Sequence, residues 1–276
     1  MTKRRILEYI DRTSPVHSLT GAVKLVVFLL WSILAMVSFK TPVLITLSVC
    51  GIIFFAVSKI RLSDISFIIK MMALFLGLNL IAIYLFSPEE GVKIYQTRYL
   101  IYEGAGRFTV TREQIFYEFN IFLKYLSIIP PAMLLLVTTH PSEFAASLNR
   151  LGIPYTAAYS VSLALRYIPD IQRDFEEISQ SQQARGLELS KRASLLKRLK
   201  GVVPLLLPLI FSSLERIDVI SLAMELRGFG KYKKRSWYSA RPSRLADKLT
   251  LIISILLFTA GIWYTFHDGT RFYYPF

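Results

Sequence analysis

The sequence predicts an all-α membrane protein: about five transmembrane helices, joined to long amphipathic helices on the cytoplasmic side. Three observations carry this reading. The chain has 276 residues and is 53% hydrophobic, above the roughly 45–50% of soluble domains. Its apolar residues are gathered into runs on the scale of a bilayer. Its charge is segregated as well as large: the formal net charge is +14, and residues 140–248 alone hold 18 Lys and Arg against ten Asp and Glu.

The spans come first. Ala22–Phe39, Val43–Ser58 and Ile65–Phe86 are nearly free of acid and base, apart from Lys24 and Lys70, and Leu249–Phe266 carries no charge. About 20 apolar residues, rising ~1.5 Å each, cross a ~30 Å hydrocarbon core. A fifth segment, Ile115–Thr138, is interrupted by Glu118, Asn120 and Lys124. Such residues are expected to face other helices or the interface rather than lipid. Pro130-Pro131 predict a kink in this span; the competing reading is an amphipathic helix lying against the bundle. Residues 87–114 form the longest connection before the region that begins at His140. There the alternation in Val-Lys-Ile-Tyr-Gln and Gly-Arg-Phe-Thr-Val, on either side of Gly104–Gly106, predicts a small external hairpin.

Charge orients the spans. Lys3, Arg4, Arg5 and Arg12 load the N-terminus, and the region after His140 is basic again. Basic segments stay on the cytoplasmic face, and the four spans before His140 return the chain to the side on which it began. The last span then leaves His267–Phe276 outside, with Trp263, Tyr264, Phe272, Tyr273 and Tyr274 as an interfacial belt. The expected organisation is a four-span region at 1–139, a cytoplasmic region at 140–245 and a final span at 246–276. In this setting the basic patch reads as a topology signal and a contact for anionic lipid or an acidic partner, not for nucleic acid. Cys50 is alone, so no disulfide forms within the chain. The first apolar run begins too late for a cleavable signal peptide.

The cytoplasmic region reads as three helices. His140–Arg150 is short and amphipathic, with Ser142 as the expected N-cap, Phe144, Ala145, Leu148 and Leu151 on one face, and Gly152 and Pro154 as its stop. A long pattern runs from Tyr155 to Ala184. It is apolar at first, then keeps Ile168, Ile171, Phe175 and Ile178 on a stripe opposite Asp170, Asp174, Glu176 and Glu177. A basic connector, Lys191 to Lys200, leads to a second long pattern from Gly201 to Leu226, whose start Pro204 and Pro208 should bend or delay. Both long helices close on the same pair: Ala184-Arg185-Gly186 and Leu226-Arg227-Gly228. Glycine past a helix is the favoured left-handed terminator, and arginine in the last turn complements the helix dipole by ~0.3–1 kcal/mol. One such end needs no function. Two in succession, on helices rooted in apolar sequence, fit a pair of docking plugs, because arginine's planar fork pairs bidentately with a partner's carboxylate.

Those residues resemble a known family. Gln182-Gln183-Ala184-Arg185-Gly186 and Ala223-Met224-Glu225-Leu226-Arg227-Gly228-Phe229-Gly230 look like the paired Ala-Arg-Gly signatures of the T component of energy-coupling-factor (ECF) vitamin and metal importers. Ser14-Pro15-Val16-His17-Ser18-Leu19 with Lys24, and Thr138-Thr139 followed by Pro141 and a helix ending at Leu151-Gly152-Ile153-Pro154, are similar to other segments of that family. Leu226 stands where the second signature has alanine, and Thr20-Gly21-Ala22 replaces an Asp-Pro-Arg-like triplet. The resemblance implies a multi-pass scaffold of the cell membrane with no catalytic activity and no cofactor. It also implies that Ala184, Arg185, Gly186, Leu226, Arg227 and Gly228 dock on two ABC ATPase subunits. The remaining helical surface would grip a small substrate-binding membrane subunit that carries a vitamin or other micronutrient.

Other chemistry finds little support. No Gly-x-x-x-x-Gly-Lys-[Ser/Thr] occurs, so ATP hydrolysis is expected in partner chains. His17, His140 and His267 share no metal-ligand spacing. Glu118 and Lys124 are too far apart in sequence to share a helix face. A membrane enzyme acting on lipid would need a clustered nucleophile or acid–base pair. A stand-alone transporter would need broken or polar helices at mid-membrane, for which only Pro130-Pro131 qualifies.

Overall fold

The computed structural model describes residues 14–103, 108–187, 195–232, 235–270 and 272–275. Lys3, Arg4, Arg5 and Arg12, the stretch Gly104–Gly106, and Lys191 and Arg192 lie outside them. The chain divides into two units: one runs to His140 and resumes at Arg241, the other is Pro141–Ala240.

The first unit is a helical bundle. It opens with the single turn α1 (Pro15–Ser18), where Ser14 accepts a hydrogen bond from the His17 amide at 3.3 Å. It continues through α2 (Gly21–Val37), α3 (Thr41–Val57), α4 (Leu62–Phe86), α5 (Glu90–Tyr95) and α6 (Arg112–Thr138); α10 (Leu245–Phe266) is added from the end of the chain. Helices α4, α6 and α10 are long and apolar enough to cross a membrane, whereas α2 and α3 are apolar but only 17 residues each. The protein is therefore an all-α membrane protein.

α6 is the centre, packed against α2, α3, α4 and α5, while α10 lies on α2. The core between α2, α3 and α6 is Trp31, Leu34, Ala35, Val43, Leu44, Leu47 and Leu123. α4 touches α6 but leaves Phe67, Met71, Leu74, Phe75, Leu78, Ile81 and Leu85 exposed; in a bilayer, lipid or a partner helix satisfies such a face.

The polar residues of α6 that point inward are bonded. Asn120 is fully buried and its Oδ1 accepts from Thr41 Oγ1 at 2.8 Å. Ser127 shares a 2.8 Å hydroxyl contact with Ser48. Small and hydroxylated residues hold membrane helices together because apolar contact alone discriminates little against lipid. Lys124 donates to the Met36 carbonyl at 2.8 Å, at the end of α2, and Glu118 accepts from Gln114 at 3.0 Å. Each of the two is thus bonded to a different partner. Lys24, buried on α2, donates to the Thr138 carbonyl at 2.9 Å and so caps the far end of α6. The helix runs on through Pro130 and Pro131. Pro131 has no N–H for the Ser127 carbonyl four residues back, and the Trp31 indole donates to that oxygen instead, at 3.1 Å.

Leu100–Tyr102 (β1) and Val110–Thr111 (β2) form the expected small hairpin. Val-Lys-Ile-Tyr-Gln, however, is not a strand. It belongs to α5, closed by Gln96 at φ +56°, because Gly91 packs that turn directly on the backbone of Glu113.

The second unit comprises α7 (Pro141–Arg150), α8 (Tyr155–Ala184) and α9 (Leu195–Leu226). α7 begins at Pro141, whose fixed φ suits the first helical position, so Ser142 sits inside the first turn and is not the cap. α9 starts at Leu195, earlier than the sequence pattern suggested, and takes in half of the basic connector. Its two prolines do not delay it. They lie four residues apart, so the lost donors fall on one side while the other keeps its ladder. α7 packs on α8 and α8 on α9; Ala145 and Ala158, both fully buried, let the first pair approach closely.

Candidate functional site

The site is built from the C-termini of α8 and α9, which close in one and the same way. At the end of α8 the Gly186 amide donates to the Gln183 carbonyl at 3.0 Å and the Leu187 amide to the Gln182 carbonyl at 3.0 Å. At the end of α9 the Gly228 amide donates to Glu225 at 2.8 Å and the Phe229 amide to Met224 at 2.9 Å. Gly186 and Gly228 sit at φ +94° and +67°, left-handed values that a side chain disfavours. Arg185 and Arg227 are the residues just before the glycines, and Ala184 and Leu226 are the last helical ones. α7 ends in the same closure at Gly152, φ +101°. The closure is thus generic, and the arginine at the capping position sets the two long helices apart.

Both arginines are exposed, and among the described residues neither side chain has an ion-pair partner. Leu226 is 82% exposed. Each tip therefore presents a cation and, on α9, a bare leucine.

The tips are far from each other. The chain beyond Arg227 folds back on the start of α8: the Gly230 amide donates to the Tyr155 hydroxyl at 2.7 Å, and the Phe229 ring lies 5.5 Å from Tyr155 and 5.0 Å from Tyr159. Arg185 is at the other end of α8, whose 30 residues at ~1.5 Å each put it on the order of 45 Å away. Between the ends, Arg216 of α9 pairs with Asp174 of α8 at 2.6 Å. The stripe predicted on α8 is partly covered: Phe175 and Ile178 are half-buried, Ile168 and Ile171 exposed. On α9, Val203, Leu206, Leu207, Ile210, Phe211, Leu214 and Ile217 are exposed, an apolar surface larger than a solvated helix carries.

Sequence reasoning missed the residues that fix the α9 tip. Nη2 of Arg235 donates to the carbonyls of Arg227 at 3.0 Å and Gly228 at 3.2 Å. The Trp237 indole donates to Asn149 of α7 at 3.0 Å, and the Ser239 hydroxyl to the Ser142 carbonyl at 3.1 Å. In the sequence Arg235 is one more cation in a basic run, with no spacing to mark it. Among the described residues no three His, Cys, Asp or Glu side chains converge as a metal would require. His17 is bonded to Ser14 and His267 to Asp268.

Residues 12–238 match the sequence profile of a family described as cobalt transport protein, CbiQ. The chain is 30% identical to the energy-coupling factor transporter transmembrane protein EcfT of Streptococcus thermophilus, over 93% of this chain and 97% of that one. It is 28% identical to the EcfT of Bacillus selenitireducens (92% and 94% covered), and 26% identical to that of Bacillus subtilis (91% and 96%).

Proposed function

The chain belongs to the CbiQ cobalt transport family and is an EcfT-like T component of an energy-coupling-factor transporter; on that premise we propose that its two Arg-Gly tips dock on two ABC ATPase subunits. The observation that carries the proposal is the pair of matched helix ends, each presenting an exposed arginine with no ion-pair partner among the described residues. Each arginine would enter an acidic groove of one ATPase. Gly186 and Gly228 permit close backbone approach, while Ala184 and Leu226 fill the rim. A separation on the order of 45 Å suits one tip per subunit rather than one shared groove.

Closure of the ATPase pair on ATP would move the two tips. α8 and α9, joined by Arg216 and Asp174, would carry that motion as a rigid-body change to a small substrate-binding membrane subunit lying on the exposed apolar face of α9. Hydrolysis belongs to the ATPases, this chain being non-catalytic and needing no cofactor, and the substrate, a vitamin or other micronutrient, to the third chain. In this reading residues 1–139 and 246–276 are the cell-membrane part, in contact with lipid, and 140–245 the coupling region, with the N-terminus also cytoplasmic.

The test is co-purification of the ATPase subunits of the same organism with wild type, Arg185→Ala, Arg227→Ala and the double variant, alongside uptake. Losing one charged, desolvated contact is expected to cost about 2–5 kcal/mol of binding. Each single change should weaken the complex and the double change abolish it. Normal binding and uptake by the double variant would reduce both tips to helix terminators and remove the proposal's support.

A further inference from the structure

We infer that Arg235 is a positioning residue for the second docking tip: its guanidinium locks the Arg227-Gly228 turn and reverses the local charge that this tip shows a partner. The inference rests on the docking reading above and goes beyond it, since that reading concerns only the two Arg-Gly pairs.

A helix C-terminus ends in carbonyls without amide donors, equivalent to about half a negative charge. Turned towards an acidic groove, those oxygens oppose the docking that Arg227 promotes. At the α9 tip one nitrogen of Arg235 binds two carbonyls, at 3.0 and 3.2 Å: that of Arg227, and that of Gly228 just past the helix, which also accepts from the Lys231 amide at 3.4 Å. A fixed cation thus covers the negative end of the helix. The strap that carries it is tied down on both sides. Before it, Phe229 is wedged against Tyr155 and Tyr159, with Gly230 on the Tyr155 hydroxyl. After it, the Trp237 ring lies 6.1 Å from Tyr159, and its indole and the Ser239 hydroxyl are bonded to α7. The side chain that bridges these carbonyls therefore stands between anchored residues, and in turn it keeps the last turn of α9 from fraying. Arg227 is presented in one position, and less ordering entropy is lost when it docks.

The contact differs from a generic cap in that it acts through Arg227, which a double-mutant cycle detects. The measurement is the affinity of the intact membrane protein, in detergent or nanodiscs, for the ATPase subunits of the same organism. It is made for wild type, Arg235→Met, Arg235→Lys, Arg227→Ala and the Arg227→Ala/Arg235→Met pair. Arg235 is exposed, so its replacement leaves the core untouched, and thermal unfolding of each variant checks this. Arg235→Met is expected to weaken binding about tenfold, and Arg235→Lys, which keeps a cationic donor, to recover most of it. On the Arg227→Ala background the Arg235→Met loss should shrink, leaving only the part due to the uncovered carbonyls. If Arg235→Met binds as wild type does, or if its loss is undiminished on the Arg227→Ala background, the positioning role is overturned while the docking reading stands. If Arg227→Ala itself leaves affinity unchanged, it is the docking reading that has failed, and this inference fails with it.

Discussion

Arg185 and Arg227 owe their presentation to the residue that follows each of them. A positive φ at Gly186 and Gly228 turns the chain away at once, leaving the arginine as the last residue along the axis. Any side chain there pays the left-handed penalty of ~1–2 kcal/mol, although the space around both glycines is open. Another residue-scale effect lies within the first unit. Tyr95 stacks on Tyr274 at 4.7 Å, and burial pushes its hydroxyl from the usual 10.0 up to about 12. Burial likewise raises Tyr274. A folded value above the unfolded one means that the folded state holds its proton more tightly. The stabilisation is complete below pH 10 and is lost as pH rises through about 12. Unfolding followed in detergent across that interval should show the loss, and Tyr95→Phe should make it smaller; an unchanged alkaline slope in Tyr95→Phe would refute the assignment.

At the scale of elements, the packing of α5 on α6 depends on one absent side chain. A Cβ at Gly91 would stand 2.4 Å from the Glu113 carbonyl oxygen and 2.6 Å from the Gln114 nitrogen, backbone atoms that cannot turn aside. The Gly91 amide is also bound by the Gln114 side chain at 2.9 Å. Gly91→Ala should therefore destabilise by about 1–3 kcal/mol or more, read as a lower melting temperature, and unchanged melting would mean that α5 docks elsewhere. Other elements show how far a pattern reaches. The period of α8 placed both its ends from sequence, since apolar spacing and a terminal glycine are local signals. From sequence the start of α9 falls too late, because Leu195–Lys200 reads as part of a basic connector and the two prolines read as breakers. In the structure they remove bonds from one side of a long helix and leave its ladder continuous on the other.

Across the whole molecule, the first unit is closed by its two distant ends. Asp247 in the first turn of α10 is buried and accepts from the Thr20 amide at 2.8 Å, the Thr20 hydroxyl at 3.2 Å and the Arg244 amide at 2.8 Å. It thereby joins α10 to the start of α2, more than 200 residues earlier in the chain. Removing the carboxylate strands buried amides, at about 1–3 kcal/mol. Asp247→Ala should lower thermal stability by that order without altering ATPase binding at the tips. A loss of binding at unchanged stability would instead make Asp247 part of the coupling path. At the other end of α10 Lys40 plays a related part: it is buried and paired with Asp268, whose carboxyl the Lys40 hydrogen bond holds below its usual range.

The sequence alone determined the number and order of the apolar helices, their orientation as an expectation, and the two Arg-Gly ends. All of these are written in consecutive residues: a run of apolar side chains, an asymmetry of charge, a glycine after a helix. Only the tertiary structure decided what holds those ends. Trp31 reaching the carbonyl that Pro131 leaves unbonded, Asp247 binding Thr20, and Arg235 lying across the last carbonyls of α9 are pairings between groups with no fixed spacing in the chain. Their partners are backbone atoms, which every residue carries and no motif records. Periodicity shows which face of a helix is apolar; which side chain satisfies a stranded carbonyl depends on where the folded chain returns.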